Sequence, residues 1–408
     1  MLYIYFIYFI DFIMFIAERI SWIKQSCTIA MSVKAKNLAA TGKDVIDLGI
    51  GEPDLHTPQN IKQGGIDAIN NNKTKYTLMN GIIPLREAIC KTTNDKLQTD
   101  YKISNVLVAP GAKYTIFMGF MSTINHGDEV IIPAPYWVSY SDIVLLFGGV
   151  PVIIQTDPAK NFKLTAEQLL AHVTPKTKWL LLNSPSNPTG AIYTASELKE
   201  LSDILLKHKI WLMTDDIYEH LRYDNIDFTN MVGARPEMKN QTLIVNGFSK
   251  GYCMTGWRLG YGIAPEELIS AMAKIQSQST STICEISQEA GLTALTRQDK
   301  SDIITMRDLY QERRNIAFEM LSKIKGLKPY LPDGAFYIFV DIKSLIGLAN
   351  IKTDEDFCIY VLENYFVSIV HGTAFGMEGY FRISFATTEI RLCEAINRIE
   401  KAVLNLQK

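Results

Sequence analysis

A chain of 408 residues, 47% of them apolar and 21% charged, has the composition of a globular protein, and its length favours two domains over one. The net charge of −2 provides no basic surface for a nucleic-acid backbone, so we expect no nucleic-acid partner. The six cysteines include no CxxC pair and the six histidines lack ligand spacing. This pattern argues against a disulfide framework and a metal site, and it favours reduced thiols in the cytoplasm.

The first feature along the chain is an apolar N-terminal extension, residues 1–17, with the sequence MLYIYFIYFIDFIMFIA. It is short for a membrane span and contains Asp11. It also lacks the basic n-region and the cleavage site of a signal peptide. Three interpretations stay open, namely a true translation start at Met14, a membrane anchor and a buried N-terminal segment. We favour the start at Met14 and therefore expect no membrane partner.

Short apolar runs then alternate with helical stretches. Helices are predicted over 113–124 and 136–147, each directly after an apolar run. The predicted strands are 106–110, 129–135, 179–185, 210–216, 242–249 and 258–264. Such runs, bounded by glycine, proline and polar residues, are typical of strands buried on both faces. Their alternation with helices predicts an α/β fold with a largely parallel sheet.

The pattern changes near residue 305. A long helix is predicted over 306–324, and the strand-like segments GAFYIFVDI, FVSIVHGTAFG and YFRISFAT follow it. This order indicates a smaller α+β unit. We therefore divide the chain into the extension, an N-terminal segment that joins the small domain, a large ligand-binding domain and a small C-terminal domain. Their bounds are 1–17, 18–60, 61–304 and 305–408.

Polar residues follow the predicted strands where these end. They are a glycine turn at Gly111, then Asn187, Asp215 and Lys250. Open α/β sheets bind ligands beyond the carboxyl ends of their strands, so we expect these groups to meet in one crevice. A glycine turn at a helix start suits a phosphate, a carboxylate keeps a pyridine nitrogen protonated, and a partly desolvated lysine forms a Schiff base with an aldehyde. The set suits an aromatic aldehyde phosphate.

Neighbouring side chains extend this set. Ser249 and Arg258 add a hydroxyl and a guanidinium group for a phosphate, and Trp137 can stack on an aromatic ring. Asp216, next to Asp215, is predicted to cap a helix over 217–223. Each of these residues alone has an ordinary structural explanation, so their combination carries the prediction.

The segments SPSNPTG, TDDIYEH and FSKGYCMTGWRLGY closely resemble the signature segments of class I aminotransferases, which are fold-type I enzymes of pyridoxal phosphate. The resemblance continues through GIGEPDLHTP, KTKYTLMNG, APGAK, IIPAPYWVSY, QSQSTS, GAFY and FRISFATTE, in the family's order. It covers essentially all of residues 18–400 and is greatest for bacterial aspartate aminotransferases. It implies a large domain whose mostly parallel sheet is sandwiched by helices, plus a smaller α+β domain.

The resemblance also implies roles around the cofactor. Lys250 would be the Schiff-base lysine and the proton carrier, and Asp215 would pair with the ring nitrogen. Asn187 and Tyr218 would hydrogen-bond the phenolic oxygen of pyridoxal phosphate. The phosphate would be held by Gly111, Ala112, Lys113, Ser249 and Arg258, together with Tyr76 of the partner subunit. A shared site of this kind implies a homodimer.

On the substrate side, the resemblance assigns the α-carboxylate to Arg382, assisted by Gly51 and Asn187. Trp137 would lie against the ring and the substrate, and Lys113 would face a distal carboxylate. The implied reaction is a ping-pong transamination in which aspartate and 2-oxoglutarate become oxaloacetate and glutamate.

Alternatives of the same fold are an aminotransferase for prephenate or aromatic amino acids and a carbon–sulfur lyase. A pyridoxal-phosphate-binding regulator would need a DNA-binding domain for which the N-terminal region is too short. A membrane-tethered binding protein is suggested only by residues 1–17.

Overall fold

The computed structural model describes residues 15–25 and 27–408. Its helices in chain order are α1 (Cys27–Ala40), α2 (Gln59–Asn70), α3 (Ile83–Leu97), α4 (Ala112–Thr123), α5 (Ser139–Leu146), α6 (Ala166–His172), α7 (Ala195–His208), α8 (Met231–Ala234), α9 (Glu266–Gln278), α10 (Glu285–Thr296), α11 (Ser301–Ser322), α12 (Asp354–Tyr365) and α13 (Glu389–Leu406). Its strands are β1 (Ile46–Asp47), β2 (Val106–Ala109), β3 (Glu129–Ala134), β4 (Val150–Gln155), β5 (Thr177–Asn183), β6 (Trp211–Asp215), β7 (Thr242–Gly247), β8 (Gly260–Ile263), β9 (Lys328–Tyr330), β10 (Tyr337–Asp341), β11 (Val367–Ser368), β12 (Val370–His371) and β13 (Tyr380–Ser384).

The larger sheet has seven strands in the order β2-β8-β7-β6-β5-β3-β4. The pairs from β7 through β4 are parallel, whereas β8 runs antiparallel to both β2 and β7. The predicted α/β class with a mostly parallel sheet is confirmed. Because β2, β5, β6 and β7 point the same way, the residues that follow them meet at one edge of the sheet.

Both faces of this sheet are covered, which explains the continuous apolar runs in the sequence. Along β2, Val106 and Val108 belong to one apolar core, while Leu107 and Ala109 belong to the core on the opposite face. Successive side chains of a strand point to opposite faces, so a strand covered on both sides needs apolar residues at every position. Burying one such valine or leucine side chain contributes about 1.5–3 kcal/mol.

A second unit is built on an antiparallel sheet with the strand order β12-β13-β10-β9. The N-terminal strand β1 pairs in parallel with β11, and α1 places Met31 and Ala35 in the same core as the C-terminal helices. The N-terminal segment therefore packs with the C-terminal part of the chain. The predicted domain boundary after residue 304 stays a prediction. Tyr218, near the end of β6, and Tyr310 lie on opposite sides of that boundary in the sequence but belong to the same apolar core.

The predicted helix over 217–223 is wrong. The chain turns there through bonds of the i→i+3 type, from Glu219 N–H to the Asp216 carbonyl and from Leu221 N–H to the Tyr218 carbonyl, and Arg222 then pairs with Gly334. Asp216 consequently caps no helix.

The side chain of Asp216 is instead fully buried and accepts hydrogen bonds from Thr214 Oγ1 at 2.6 Å and from Asn230 Nδ2 at 2.7 Å.

Most of the N-terminal extension, residues 1–14, lies outside the described residues, and so do the three interpretations that concern it. The described part begins with Phe15 and Ile16, whose side chains are exposed. Among the residues that the structure describes, no helix is long and apolar enough to cross a membrane.

Candidate active site

A cavity of about 390 Å³ lies where β2, β5, β6 and β7 end. It brings together most of the residues that the sequence singled out for chemistry. These are Gly51, Ala112, Lys113, Trp137, Asn187, Asp215, Tyr218, Ser249, Lys250, Arg258 and Arg382. Gly111 and Tyr76 do not line it.

Lys250 follows β7 and reaches into the cavity. Its Nζ donates to the Gly51 carbonyl at 2.5 Å and lies 5.8 Å from the centre of the Phe336 ring. Its side chain keeps some exposure to the cavity, but protein encloses it closely. This desolvation, with the nearby positive charges of Arg382 and Arg258, lowers the pKa of the Lys250 ammonium to about 8. With this pKa roughly a tenth of the amine is neutral at pH 7, far more than for an unperturbed lysine, which makes Lys250 a candidate nucleophile and base.

Asp215, the last residue of β6, presents a buried carboxylate to the same cavity. Tyr140 Oη donates to Oδ2 at 2.7 Å, and Ile217 N–H donates to Oδ1 at 3.3 Å. Burial raises the pKa of the Asp215 carboxyl to about 6, and donation from Tyr140 acts in the opposite direction. The carboxylate is therefore ionised at neutral pH and can pair with a protonated ring nitrogen.

The start of α4 forms the anion-binding end of the cavity. Gly111 has a φ of 97° and a Cβ there would lie 2.6 Å from Arg258 Nη2, so both the turn and the close approach require glycine. Ala112 and Lys113 begin α4, where N–H groups have no partner within the helix, and both residues line the cavity.

The buried Ser249 and the exposed Arg258 line the same cavity, and Arg258 lies against Gly111. The arrangement of amides, hydroxyl and guanidinium suits a phosphate.

Lys113 and Trp137 form a pair on the cavity wall. The Lys113 Nζ lies 4.6 Å from the centre of the Trp137 ring, which is a cation–π contact. Lys113 is exposed, but partial burial of its ammonium and, to a smaller extent, the positive charge of Arg258 lower its pKa. One face of the indole thus carries a cation, and both side chains line the cavity.

Arg382 on β13 is buried, and its guanidinium group is held in place from two sides. Its Nη1 donates to Asn187 Oδ1 at 3.0 Å, and its Nη2 donates to the Gly49 carbonyl at 2.5 Å. The guanidinium carbon lies 4.3 Å from the centre of the Tyr337 ring. Within the described chain, Arg382 Nε is buried without a hydrogen-bond partner. A buried cation with unused donor capacity suits a carboxylate ligand.

Tyr76 stands apart from this group. It lies in the loop between α2 and α3, and its side chain is 89% exposed. Its predicted contact with a phosphate requires a second subunit and stays a prediction.

Among the cavity residues that the sequence analysis did not select, three hydrogen-bond to residues that it did select. Asn183 donates from Nδ2 to the Asp215 carbonyl at 2.7 Å, and its Oδ1 accepts from Asn187 N–H at 2.7 Å. Tyr140 holds Asp215, and Tyr337 shares a 2.8 Å hydrogen bond with Tyr218. Asn183 could have been selected from the sequence, because it is a polar residue at the end of β5. Nothing in the local sequence marks the two tyrosines.

The donor set fits pyridoxal phosphate. The helix-start amides with Ser249 and Arg258 match the phosphate, and Asp215 matches the ring nitrogen. Lys250, with its lowered pKa, matches the aldehyde. Arg382 lines the cavity, and its Nη1 and Nη2 each keep a further N–H for a substrate carboxylate.

Comparison with known proteins gives one family. The profile described as "Aminotransferase class I and II" matches residues 43–399. The aspartate/prephenate aminotransferase of Cereibacter sphaeroides is 47% identical over 392 residues, which are 95% of this chain and 98% of that protein. The crystal structure of the aspartate aminotransferase from Rhizobium meliloti superposes with a TM-score of 0.92 at 45% identity, covering 95% of this chain and 98% of that one.

A more distant structure has the same fold. The aspartate aminotransferase from Thermus thermophilus with maleate superposes with a TM-score of 0.90 at 37% identity, over 95% of this chain and 99% of that one.

Proposed function

The chain belongs to the class I and II aminotransferase family, and on that basis we propose that it transfers the amino group of aspartate to 2-oxoglutarate, giving oxaloacetate and glutamate. The observation that carries the proposal is the cavity in which Lys250, Asp215 and Arg382 meet. A lysine of lowered pKa, a buried carboxylate and a buried guanidinium group are the groups that this chemistry needs.

Enzymes of this family depend on pyridoxal phosphate. When bound, this cofactor supplies an aldehyde that bonds covalently to amino groups and a pyridine ring that accepts electrons. We assign its phosphate to Ser249, Arg258 and the amides that begin α4, and its ring to the face of Trp137. Asp215 holds the proton of the ring nitrogen, and Tyr218 with Asn187 donates to the phenolic oxygen.

Lys250 moves the proton of the reaction. In its neutral form, Nζ would take the proton from the α carbon of the amino acid, and as an ammonium it would give that proton back. The pKa of about 8 makes the neutral form accessible near neutral pH. An amino acid leaves as its oxo acid in the first half of the reaction, and a second oxo acid leaves as an amino acid in the other half, so the substrates alternate.

Substrate binding uses two cations. Arg382, already oriented by Asn187 and Gly49, binds the α-carboxylate through its free donor capacity. Lys113, beside Trp137, binds the distal carboxylate. Two cationic groups in one cavity favour amino and oxo acids with two carboxylates over those with one.

We propose a homodimer with shared sites. Tyr76 is 89% exposed, and near it in the chain Ile66, Ile69 and Leu78 are 44%, 53% and 55% exposed. An exposed apolar surface of this kind favours contact with another subunit. Tyr76 of one subunit then reaches the phosphate of the other.

Prephenate is the second candidate substrate. A relative that is 47% identical over nearly its whole length carries the name aspartate/prephenate aminotransferase. Prephenate is an oxo diacid, so the same pair of cations can bind it.

The decisive experiment is an absorption spectrum of the purified protein before and after aspartate is added. We expect a visible band that aspartate converts to one at shorter wavelength and that 2-oxoglutarate restores. Parallel assays offer prephenate as the acceptor and phenylalanine as the donor. A protein without a visible band, or one that releases ammonia without any oxo acid, would contradict the proposal, and the second result would indicate a lyase.

A further inference from the structure

Two donors from the protein fix the Asp215 carboxylate at the wall of the cavity. Tyr140 Oη bonds to one oxygen at 2.7 Å, and the Ile217 amide bonds to the other at 3.3 Å. Tyr140 is 1% exposed and Asp215 is 4% exposed, so neither group has a ready alternative partner in water. The shorter and better bond comes from Tyr140.

We propose that Tyr140 is a positioning residue that holds the Asp215 carboxylate in one orientation and keeps it ionised toward the ring nitrogen of the cofactor. This inference rests on the proposed function, because the ring nitrogen is the group that Asp215 serves. Tyr140 itself acts through Asp215.

The hydroxyl group has two physical effects on Asp215. A donor fixed 2.7 Å from Oδ2 restricts rotation of the carboxylate, which lines the cavity. It also stabilises the negative charge, and it opposes the burial that raises the pKa of the Asp215 carboxyl. Without this donor, the shared proton moves from the ring nitrogen toward the carboxylate, and the ring becomes a weaker electron acceptor.

Packing fixes the orientation of Tyr140. It lies in the first turn of α5, where its N–H donates to the Trp137 carbonyl at 3.0 Å. Its ring meets the Trp137 ring edge-on, with the centroids 5.3 Å apart. The face of Trp137 carries the Lys113 ammonium 4.6 Å from its centre. Trp137, which we assign to the cofactor ring, thus orients Tyr140, which contacts Asp215.

The test is Tyr140→Phe, which keeps the ring and removes the hydroxyl group. The matched control is Tyr193→Phe. Tyr193 is also buried, and its hydroxyl accepts from Leu164 N–H at 2.7 Å, but it does not line the cavity. The measurements are the pH titration of the visible band of the cofactor-loaded protein without substrate, the dissociation constant of pyridoxal phosphate, the thermal unfolding of the cofactor-free protein and steady-state kinetics with aspartate.

For Tyr140→Phe we expect the midpoint of the spectral titration to rise by about one pH unit. A less positively charged cofactor ring and a more basic Asp215 carboxylate both make it harder for the cofactor-loaded site to lose its proton. We expect kcat to fall by roughly tenfold or more with little change in KM. Tyr193→Phe should leave the midpoint and kcat unchanged. In an Asp215→Asn background, Tyr140→Phe should have almost no further effect, since its target is gone.

Other outcomes overturn the inference. A Tyr140→Phe protein that titrates and turns over like wild type shows that the hydroxyl group is dispensable. Loss of folding or thermal stability with an unchanged titration marks Tyr140 as a structural residue. Equal effects of Tyr140→Phe in the wild-type and Asp215→Asn backgrounds show that it does not act through Asp215. A wild-type protein with no visible band instead refutes the proposed function, and the two failures are therefore distinguishable.

Discussion

Tyr218 and Tyr337 share a 2.8 Å hydrogen bond between their hydroxyl oxygens, although 119 residues separate them along the chain. Tyr218 follows β6 of the seven-stranded sheet, whereas Tyr337 begins β10 of the antiparallel sheet. The ring of Tyr337 also lies under Arg382, with the guanidinium carbon 4.3 Å from its centre. Tyr337 thus joins the group assigned to the cofactor oxygen with the group assigned to the substrate carboxylate.

Removal of only the hydroxyl group of Tyr337 should affect turnover more than substrate binding. Tyr337→Phe loses the bond to Tyr218 but keeps the ring beside Arg382, so we expect kcat to fall by up to about tenfold with KM for aspartate nearly unchanged. Tyr337→Leu removes the ring as well and should raise KM. Steady-state kinetics separate the two effects, and a raised KM in Tyr337→Phe would contradict this division of roles.

Replacement of Lys250 should abolish transamination. Lys250→Ala removes the amine that bonds to the cofactor and moves the proton, whereas Lys323→Ala, at an exposed lysine, should have no effect.

In the wild-type protein without cofactor, the pKa of Lys250 is lowered to about 8, so the neutral amine increases as the pH rises through that value. The rate at which the protein captures added pyridoxal phosphate should be proportional to this neutral fraction. At pH 7 it should be roughly a tenth of the plateau rate reached at high pH. Stopped-flow absorbance checks this, and a midpoint near 10.5 would show an unperturbed lysine.

Asp216 should affect the pH dependence of stability and not catalysis. Burial raises the pKa of its carboxyl group to about 8 from 3.8, so the folded state binds a proton that the unfolded state releases. The stabilisation from this proton is complete below the unfolded pKa and is lost as the pH rises through about 8. The free energy of unfolding should therefore decrease by about 1.4 kcal/mol per pH unit across that window from this group.

Asp216→Asn should remove that slope and keep most of the activity. Asp95→Asn, at an exposed carboxylate, should keep the wild-type slope. Urea unfolding from pH 5 to pH 8 measures the difference. If Asp216→Asn stops turnover while Asp215→Asn does not, the two aspartates have exchanged roles.

Lys113 should determine the preference for acidic substrates. The loss of one charge-assisted partner of a desolvated carboxylate typically costs about 2–5 kcal/mol. Lys113→Ala should therefore lower kcat/KM for aspartate by roughly 30-fold or more, while phenylalanine and alanine, which have no distal carboxylate, should be nearly unaffected. Equal losses for aspartate and phenylalanine would show that Lys113 serves the phosphate of the cofactor instead.

The sequence alone determined the fold class and most of the cavity. Strands that are buried on both faces need unbroken apolar runs, so the ends of those runs are visible, and ligand groups such as Asp215 and Lys250 stand directly after them. In the structure Asp215 lines the cavity, whereas the Asp216 carboxylate is buried against Thr214 and Asn230. The sequence identified both residues, but the helix that it predicted after them does not form.

Only the tertiary structure decided which polar groups hold the others in place. Tyr140 lies 75 residues before Asp215, Asn183 lies 32 residues before it, and Tyr337 lies 119 residues after Tyr218. The chain contains 19 tyrosines, and no local pattern distinguishes Tyr140 and Tyr337, which join Tyr218 at the cavity. A hydrogen bond requires two atoms about 3 Å apart in a defined direction. The packing of whole strands and helices against one another sets these atomic positions. They therefore cannot be inferred from the residues that neighbour each tyrosine or asparagine in the sequence.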